Sequence, residues 1–383
     1  MLNLLYARND FPVTAKLIYL DSGAKSALAT PVYDAIRSFY NICFERGRDY
    51  NLWWEQVDSA RAKVAKILAA DPADIAFLSS ATHAANVVAQ GIEWKPGDNV
   101  VAAEDEFPSN LYPWLNLRAK GVDIRLVPSE DGQLPLEAYK KHTDSRTRLI
   151  AVSHVQASTG YRCNLQELGN YTHENSIMLF VDATQSCGVL PIDVGRFHID
   201  YLCSSTYKWL LGTDGLAILY ARASRADDLS FSYLGWAGRV NPNDYSHHDL
   251  IYPKETRRFE LGNHNYSAIW ALNAGLDYLE RIGRDNTSRY TMDLVCELKK
   301  QLSEIDGISL ISSFDREHSG PLVTITSYAM DNARIYEQLL SKGVAASLKP
   351  NGIRLSPYFY NTSQEIGLAC EVLRKIVAGN LEV

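Results

Sequence analysis

Two residues of opposite charge mark the part of the chain best suited to chemistry. Lys208 closes the run Ser204-Ser-Thr-Tyr-Lys208 ahead of a glycine-containing turn, and Asp182 ends the apolar run Ile177–Asp182, 26 residues earlier. A lysine amine forms a Schiff base with an aldehyde, and a carboxylate pairs with a protonated ring nitrogen. Each residue alone is common in such a place, but together they match what pyridoxal 5′-phosphate (PLP) requires of a protein.

The flanking residues extend this pattern over most of the chain. Val181-Asp-Ala-Thr-Gln-Ser186, the run ending at Lys208 and Arg258-Phe-Glu-Leu-Gly262 follow one another in order. With these motifs the chain resembles the class V aminotransferase and cysteine desulfurase family of PLP enzymes, from about Tyr19 to about Thr362. The resemblance implies PLP as the cofactor. It leaves the reaction open, because the family includes transaminases, desulfurases, carbon–sulfur lyases, epimerases and kynureninase-like hydrolases.

Composition excludes several other classes of protein. The 383 residues are 46% apolar and carry a net charge of −7, with no basic stripe, so nucleic acid is not expected as a partner. No apolar run is long enough to span a bilayer, and the first residues lack the pattern of a secretory signal, so we expect no membrane partner and a cytoplasmic location. The six cysteines form no Cys-x-x-Cys or Cys/His cluster, so neither a metal site nor disulfides are expected.

Short apolar runs alternate with helical patterns such as Val57–Leu68, which predicts an α/β fold with a mainly parallel sheet flanked by helices. Ligands then bind at the carboxyl ends of the strands. A dinucleotide-binding enzyme is not supported, because no Gly-x-Gly-x-x-Gly follows the first strand. The predicted strands are Ile75–Ser79, Asn99–Ala103, Asp123–Val127, Leu149–Val155, Ile177–Asp182, Tyr201–Ser204 and Leu216–Tyr220.

The last hundred residues predict a smaller α+β domain. After the predicted helix Ser267–Ile282, strands alternate with helices at Leu322–Ile325, Asn332–Leu340, Gly352–Ser356 and Ser363–Val377. We therefore expect a large PLP-binding domain over residues 16–283 and a small domain formed by residues 1–15 and 284–383. The resemblance implies the overall fold of aspartate aminotransferase.

Several roles follow from the resemblance. Once substrate displaces it, Lys208 is expected to move the α-proton as general base and acid. Asp182 is expected to hold the pyridine nitrogen, the alternative being a helix cap, and Gln185 to donate to the ring oxygen. The phosphate is expected at the helix start Ala81, Thr82 and His83 together with Ser205, although His83 is as well explained without an anion. Asn263 is expected to reach the phosphate of a neighbouring subunit, which implies a homodimer.

Two departures from the desulfurase pattern bear on the reaction. Phe107, in Glu106-Phe-Pro-Ser-Asn110, stands where desulfurases have a ring-stacking histidine; it is expected to stack without transferring protons, the alternative being a core residue. The stretch 343–352 lacks the nucleophilic cysteine that desulfurases carry there. Arg354 matches the residue that holds the substrate α-carboxylate, the alternative being a surface salt bridge. Gln156 is a candidate for contacting the cofactor, and Asn51 for contacting the substrate.

These features favour a PLP lyase or epimerase that removes the α-proton of a small-molecule amino acid. The segments 106–110 and 153–160 are most similar to the isopenicillin N epimerase-like and carbon–sulfur lyase-like branch. A class V transaminase is the alternative, and a cysteine desulfurase is less favoured. A catalytically inactive binding protein is disfavoured because Lys208, Asp182, Ser205 and Arg354 are all present.

Overall fold

The computed structural model describes residues 6–244, 246 and 248–379. Its strands are β1 (Ile18–Tyr19), β2 (Ile75–Leu78), β3 (Asn99–Ala103), β4 (Asp123–Val127), β5 (Thr147–Ser153), β6 (Met178–Asp182), β7 (Tyr201–Ser205), β8 (Ala217–Ala221), β9 (Ile308–Leu310), β10 (Val323–Ser327), β11 (Val344–Ala345), β12 (Ser347–Lys349) and β13 (Gly352–Leu355).

The helices lie between these strands or beside them. They are α1 (Thr30–Arg46), α2 (Tyr50–Leu68), α3 (Ala81–Gly91), α4 (Tyr112–Leu115), α5 (Leu136–Lys140), α6 (Leu165–Glu174), α7 (Ala223–Ala226), α8 (Tyr266–Ile282), α9 (Arg284–Ser303), α10 (Asn332–Ser341) and α11 (Ser363–Val377).

The large sheet has seven strands in the order β2-β8-β7-β6-β5-β3-β4, and they are the seven predicted from the apolar runs. From β7 to β4 neighbouring strands are parallel, whereas β8 runs antiparallel to β7 and β2. The predicted α/β fold with a mainly parallel sheet is therefore confirmed, and the observed strand ends differ from the predicted ones by at most two residues.

Alternate residues of the central strands serve two hydrophobic cores, one on each face of the sheet. Val101, Ile150 and Leu179 face a core shared with α2, α6 and α8. Val100, Leu149 and Phe180 face the core that contains α3. Burial on both faces explains why these strands are apolar throughout instead of alternating with polar residues.

The second sheet is antiparallel, in the order β12-β13-β10-β9, and packs with α9, α10 and α11 around its own core. β1 pairs in parallel with β11, so Ile18 and Tyr19 contact the C-terminal part of the chain. The division of the chain at residues 16 and 284 stays a prediction. None of the helices in the described part of the chain has the length and apolar character needed to cross a membrane, and the predicted cytoplasmic location remains a prediction.

Candidate active site

The carboxyl ends of three neighbouring strands meet at a cleft. Ser153 ends β5, Asp182 ends β6 and Ser205 ends β7, and all three line the cleft. Parallel strands bring their carboxyl ends to one edge of a sheet, which is where ligands bind in open α/β folds. The remaining lining residues are Ala81, Phe107, Ser109, Val155, Ala157, Thr184, Gln185, Tyr207 and Lys208.

Asp182 is a buried carboxylate that has no cationic partner in direct contact among the described residues. Asp182 is only 5% exposed. Its Oδ1 accepts a hydrogen bond of 2.8 Å from the Thr184 backbone N–H. No ion pair among the described residues includes Asp182, and burial raises its pKa. The bond to Thr184 closes a turn and not a helix, so the helix-cap alternative does not describe this residue. A carboxylate in this position favours a bound cation.

Lys208 follows β7 and is 8% exposed. Burial, and after it the charges of Arg354 and Lys349, lower the pKa of its amine to about 7, while Asp182 acts in the opposite direction. Nζ lies 5.9 Å from the centre of the Phe107 ring and 5.7 Å from that of Tyr207. It makes no hydrogen bond or ion pair within residues 6–244, 246 and 248–379. A large fraction of such an amine is neutral at physiological pH, as a nucleophile or a base requires.

Gln185 is held between two other segments at the edge of the cleft. Its Nε2 donates to the Gly23 carbonyl at 2.8 Å, and its Oε1 accepts from Trp209 Nε1 at 3.0 Å. These bonds fix the direction of the amide. Because Nε2 carries two hydrogens, one of them remains for a group bound in the cleft.

Helix α3 begins beside the cleft, and free N–H groups at a helix start are suited to hold an anion. Ser80 caps the helix by accepting from the His83 N–H at 3.1 Å, and Ala81 lines the cleft with Ser205. Thr82 Oγ1 shares a hydrogen bond of 2.8 Å with Ser109, another lining residue.

His83 and Asn263 lie in a second depression and not among the residues that line the cleft. The His83 ring is bonded to Ser79 Oγ at 3.2 Å, and burial lowers its pKa. Within the described part of the chain, Asn263 and Lys208 line different depressions. Its expected contact with the cofactor of a neighbouring subunit stays a prediction.

Phe107 lines the cleft and is 49% exposed, which is not the environment of a core residue. The buried Glu106 beside it accepts hydrogen bonds from the Ser153 N–H at 2.7 Å, from Asn110 Nδ2 at 3.0 Å and from Gln156 Nε2 at 2.7 Å. Burial raises the pKa of Glu106 to about 7. Glu106 therefore ties the Phe107 turn to the end of β5.

Gln156 is not among the residues that line the cleft; its Nε2 is hydrogen-bonded to Glu106. The Oε1 atom of Gln156 is buried and has no partner among the described residues. The anchoring role of Glu106 was missed by the sequence analysis. The available signal was an acidic residue four positions before Asn110 and three positions after the end of an apolar strand.

Arg354 lies in β13 and is 2% exposed, so the surface salt-bridge alternative is wrong. Nη1 donates to the Ala157 carbonyl at 2.8 Å, and Nη2 reaches Ser347 Oγ at 3.5 Å. Nε is buried without a partner among the described residues. Burial lowers the pKa of this guanidinium to about 10, with Asp21 acting against it. A buried guanidinium with an open edge is suited to bind a carboxylate.

Asn51 does not lie at the cleft of its own chain. It is exposed in the first turn of α2, and the rings of Trp53 and Trp54 in the same helix contact Tyr266 and His264. Its role in substrate binding stays a prediction.

None of the six cysteines is among the residues lining the cleft. Cys370 is buried in α11, and burial raises the pKa of its thiol to about 12. A thiol in this state is not a reactive nucleophile.

These groups fit PLP. Lys208 has an unpaired amine for a covalent link, Asp182 is a buried carboxylate in need of a cation such as a pyridinium, and the start of α3 with Ser205 supplies donors for a phosphate. The buried, unpartnered Nε of Arg354 adds a donor for a substrate carboxylate.

Comparison with known proteins agrees with this fit. Residues 18–368 match the family described as Aminotransferase class-V. A Bacillus subtilis protein named uncharacterized aminotransferase YcbU is 32% identical over 94% of both chains. A probable cysteine desulfurase of Methanothermobacter thermautotrophicus is 30% identical over 96% of this chain and 97% of its own.

Two solved structures of the protein C-DES have the same fold. One is a mutant with glycine covalently linked to the PLP cofactor, with a TM-score of 0.90 at 22% identity over 96% of this chain and 98% of that one. The other is a complex of the cystine C–S lyase C-DES with its product cysteine persulfide, with a TM-score of 0.89 at 22% identity over 95% and 99%.

Proposed function

This chain belongs to the aminotransferase class-V family and is a PLP-dependent enzyme, and on that premise we propose that it is a lyase acting on an amino acid. In this proposal Lys208 removes the α-proton and a substituent then leaves Cβ. The observation that carries it is the environment of Lys208: a buried amine without a hydrogen-bond or ion-pair partner among the described residues, with a pKa lowered to about 7, that faces an apolar ring.

The bound PLP would supply an electron sink that makes the α-proton acidic. Lys208, Asp182, Gln185, Ser205 and the start of α3 would hold it. Arg354 would bind the substrate α-carboxylate through its open edge, which orients the Cα–H bond toward Lys208. Lys208 Nζ then takes the proton, since its lowered pKa matches the working pH of a general base.

Phe107 favours a lyase over an epimerase. An epimerase that uses two bases needs a second proton carrier on the face opposite the lysine. The titratable side chains lining the cleft in the described part of the chain are Asp182, Tyr207 and Lys208, and Phe107 adds only apolar area. Lys349 lies outside this lining, on the hairpin face that carries Arg354. Tyr207 directly precedes Lys208, and burial raises its pKa.

The buried state of Cys370 weighs against a cysteine desulfurase, although some relatives carry that name. Desulfuration through a protein persulfide requires a thiolate that reaches the substrate. Within the described residues no cysteine lines the cleft.

We also propose that the active form is a homodimer. Asn263 and His83 share a depression beside the start of α3, and an Asn263 from a second subunit would complete the phosphate site in a symmetric, isologous arrangement. Sedimentation at assay concentration tests this, and a fully active monomer would contradict it.

A panel of L-amino acids tests the reaction. The PLP-loaded protein is incubated in deuterated buffer, and deuterium at Cα, keto acid, ammonia and sulfide are measured. A lyase releases keto acid and ammonia together without an added acceptor. Keto acid formed only with an added keto acid would establish the transaminase instead, and deuterated D-amino acid without keto acid would establish an epimerase.

A further inference from the structure

The stretch 343–352 forms an ordered hairpin, although desulfurases carry their nucleophile at this place. β12 pairs antiparallel with β13, with Lys349 opposite Gly352, and only Pro350 and Asn351 lie between them. Asn351 Nδ2 donates to the Ser158 carbonyl at 3.3 Å, which ties the tip of the hairpin to the turn that also binds Arg354. A residue on this hairpin is thus held close to the substrate anchor.

Lys349 lies on the same face of the hairpin as Arg354. Side chains two residues apart in a strand point to one face, so Lys349 follows Ser347, and Ser347 is the cross-strand partner of Arg354. Lys349 is half-buried. Its ammonium makes no hydrogen bond or ion pair with any residue that the structure describes.

Lys349 is connected to the cleft through Arg354, whose Nη1 donates to the carbonyl of the lining residue Ala157. Burial and Arg354 lower the pKa of Lys349, and Lys349 in turn contributes to the lowered pKa of Lys208. The negative charge of Asp21 acts to raise the pKa of both Lys349 and Arg354. Asp21 is held in place by Ser347, whose Oγ donates to Asp21 Oδ1 at 2.5 Å.

Once a substrate carboxylate binds, the charges of Arg354 and Lys349 are balanced by that carboxylate and Asp21. A negative charge that forms later on the group leaving Cβ can then be met by Lys349, whose ammonium has no hydrogen-bond partner among the described residues and lies beside the anchored carboxylate. An interaction of this kind is strongest in the transition state.

We propose that Lys349 is the acid that protonates the group leaving Cβ, and that the substrates are L-amino acids with a basic leaving group there, such as a thiolate. This rests on the proposed lyase function. In the step, Lys208 Nζ takes the Cα proton, the Cβ–X bond breaks with its electron pair on X, and X takes a proton from Lys349 Nζ. Hydrolysis gives the keto acid, ammonia and HX.

Two substrates with different leaving groups test this on the holoenzyme. Chloride leaves β-chloro-L-alanine without a proton, whereas ethanethiolate leaves S-ethyl-L-cysteine far more readily when it is protonated. A general acid typically contributes about 10²–10⁴-fold to the rate. Lys349→Met is therefore expected to slow the turnover of S-ethyl-L-cysteine by about 100-fold or more, and that of β-chloro-L-alanine by less than about threefold. Normal turnover of β-chloro-L-alanine shows that the variant is folded.

Two further variants sharpen the test. Lys349→Arg keeps the charge but holds its proton too tightly, so it is expected to stay slow with S-ethyl-L-cysteine. Lys300→Met removes an exposed lysine of α9 and is expected to leave both rates unchanged.

Equal losses on both substrates in Lys349→Met, or full rescue by Lys349→Arg, would overturn the acid role. A thiol-selective loss in Tyr207→Phe but not in Lys349→Met would assign the acid to Tyr207. In all three cases wild-type α-deuterium exchange would leave the lyase proposal intact. No exchange with any amino acid in the wild type would overturn both proposals together.

Discussion

Replacing Arg354 with alanine tests the proposed carboxylate anchor. Of the three guanidinium nitrogens, Nη1 is occupied by the Ala157 carbonyl at 2.8 Å, Nη2 has only a long contact of 3.5 Å to Ser347, and Nε has no partner among the described residues. The Nε–Nη2 edge is therefore open. That edge donates two parallel hydrogen bonds to a carboxylate.

The expected loss is large because the site is buried. Removing one partner of a buried, hydrogen-bonded charge pair costs about 2–5 kcal/mol, which corresponds to a roughly 30- to several-thousand-fold drop in kcat/KM. Arg354→Lys keeps a charge but loses the planar edge, so we expect an intermediate loss. The cofactor should still bind, because Arg354 is not among the residues proposed to hold it.

The assay combines kinetics with cofactor absorbance. The kcat/KM for β-chloro-L-alanine is measured for the wild type, Arg354→Ala and Arg354→Lys after reconstitution with PLP, with Arg118→Ala as an exposed-arginine control. A kcat/KM for Arg354→Ala within about twofold of the wild type, at equal PLP content, would refute the anchor.

Three other predictions concern Lys208 and Cys370. Lys208→Ala is expected to abolish both the absorbance of lysine-bound PLP at the visible–ultraviolet boundary and α-deuterium exchange; borohydride reduction and peptide mapping should place the label on Lys208, and a label on another lysine would contradict the assignment. Cys370→Ser is expected to leave turnover nearly unchanged, because the thiol is buried with a pKa of about 12; loss of activity in this variant would restore the desulfurase hypothesis. In the cofactor-free protein, burial lowers the pKa of Lys208 to about 7. The charged lysine therefore lowers the free energy of unfolding by its full amount below pH 7, and by less as the pH rises toward the pKa of an exposed lysine. Lys208→Met should therefore stabilise the apoprotein more at about pH 6 than at about pH 9 in urea unfolding, and an equal effect at both values would argue against the shift.

The strands and the central pair of charges were predictable because their signals are local. Each strand of the large sheet is an apolar run, since both its faces are covered by helices. Asp182 and Lys208 each follow such a run. Because β6 and β7 are parallel neighbours, the two residues had to meet at one edge of the sheet.

Other features depended on contacts between segments far apart in the chain. Nothing near Arg354 in sequence indicates that Ala157 occupies Nη1 and leaves one edge open, or that Ser347 links it to Asp21. The anchoring of Gln156 by Glu106 spans 50 residues.

The α/β architecture and the residues that follow the strands were therefore predictable, because hydrophobic periodicity and strand ends are local properties. The cofactor followed from the resemblance of the motifs around Asp182 and Lys208 to a known family. The lowered pKa of Lys208 and the position of Lys349 beside Arg354 arise only in the folded chain. Both depend on burial and on charges from other segments, and these exist only once the small antiparallel sheet packs against the turn at residues 156–160.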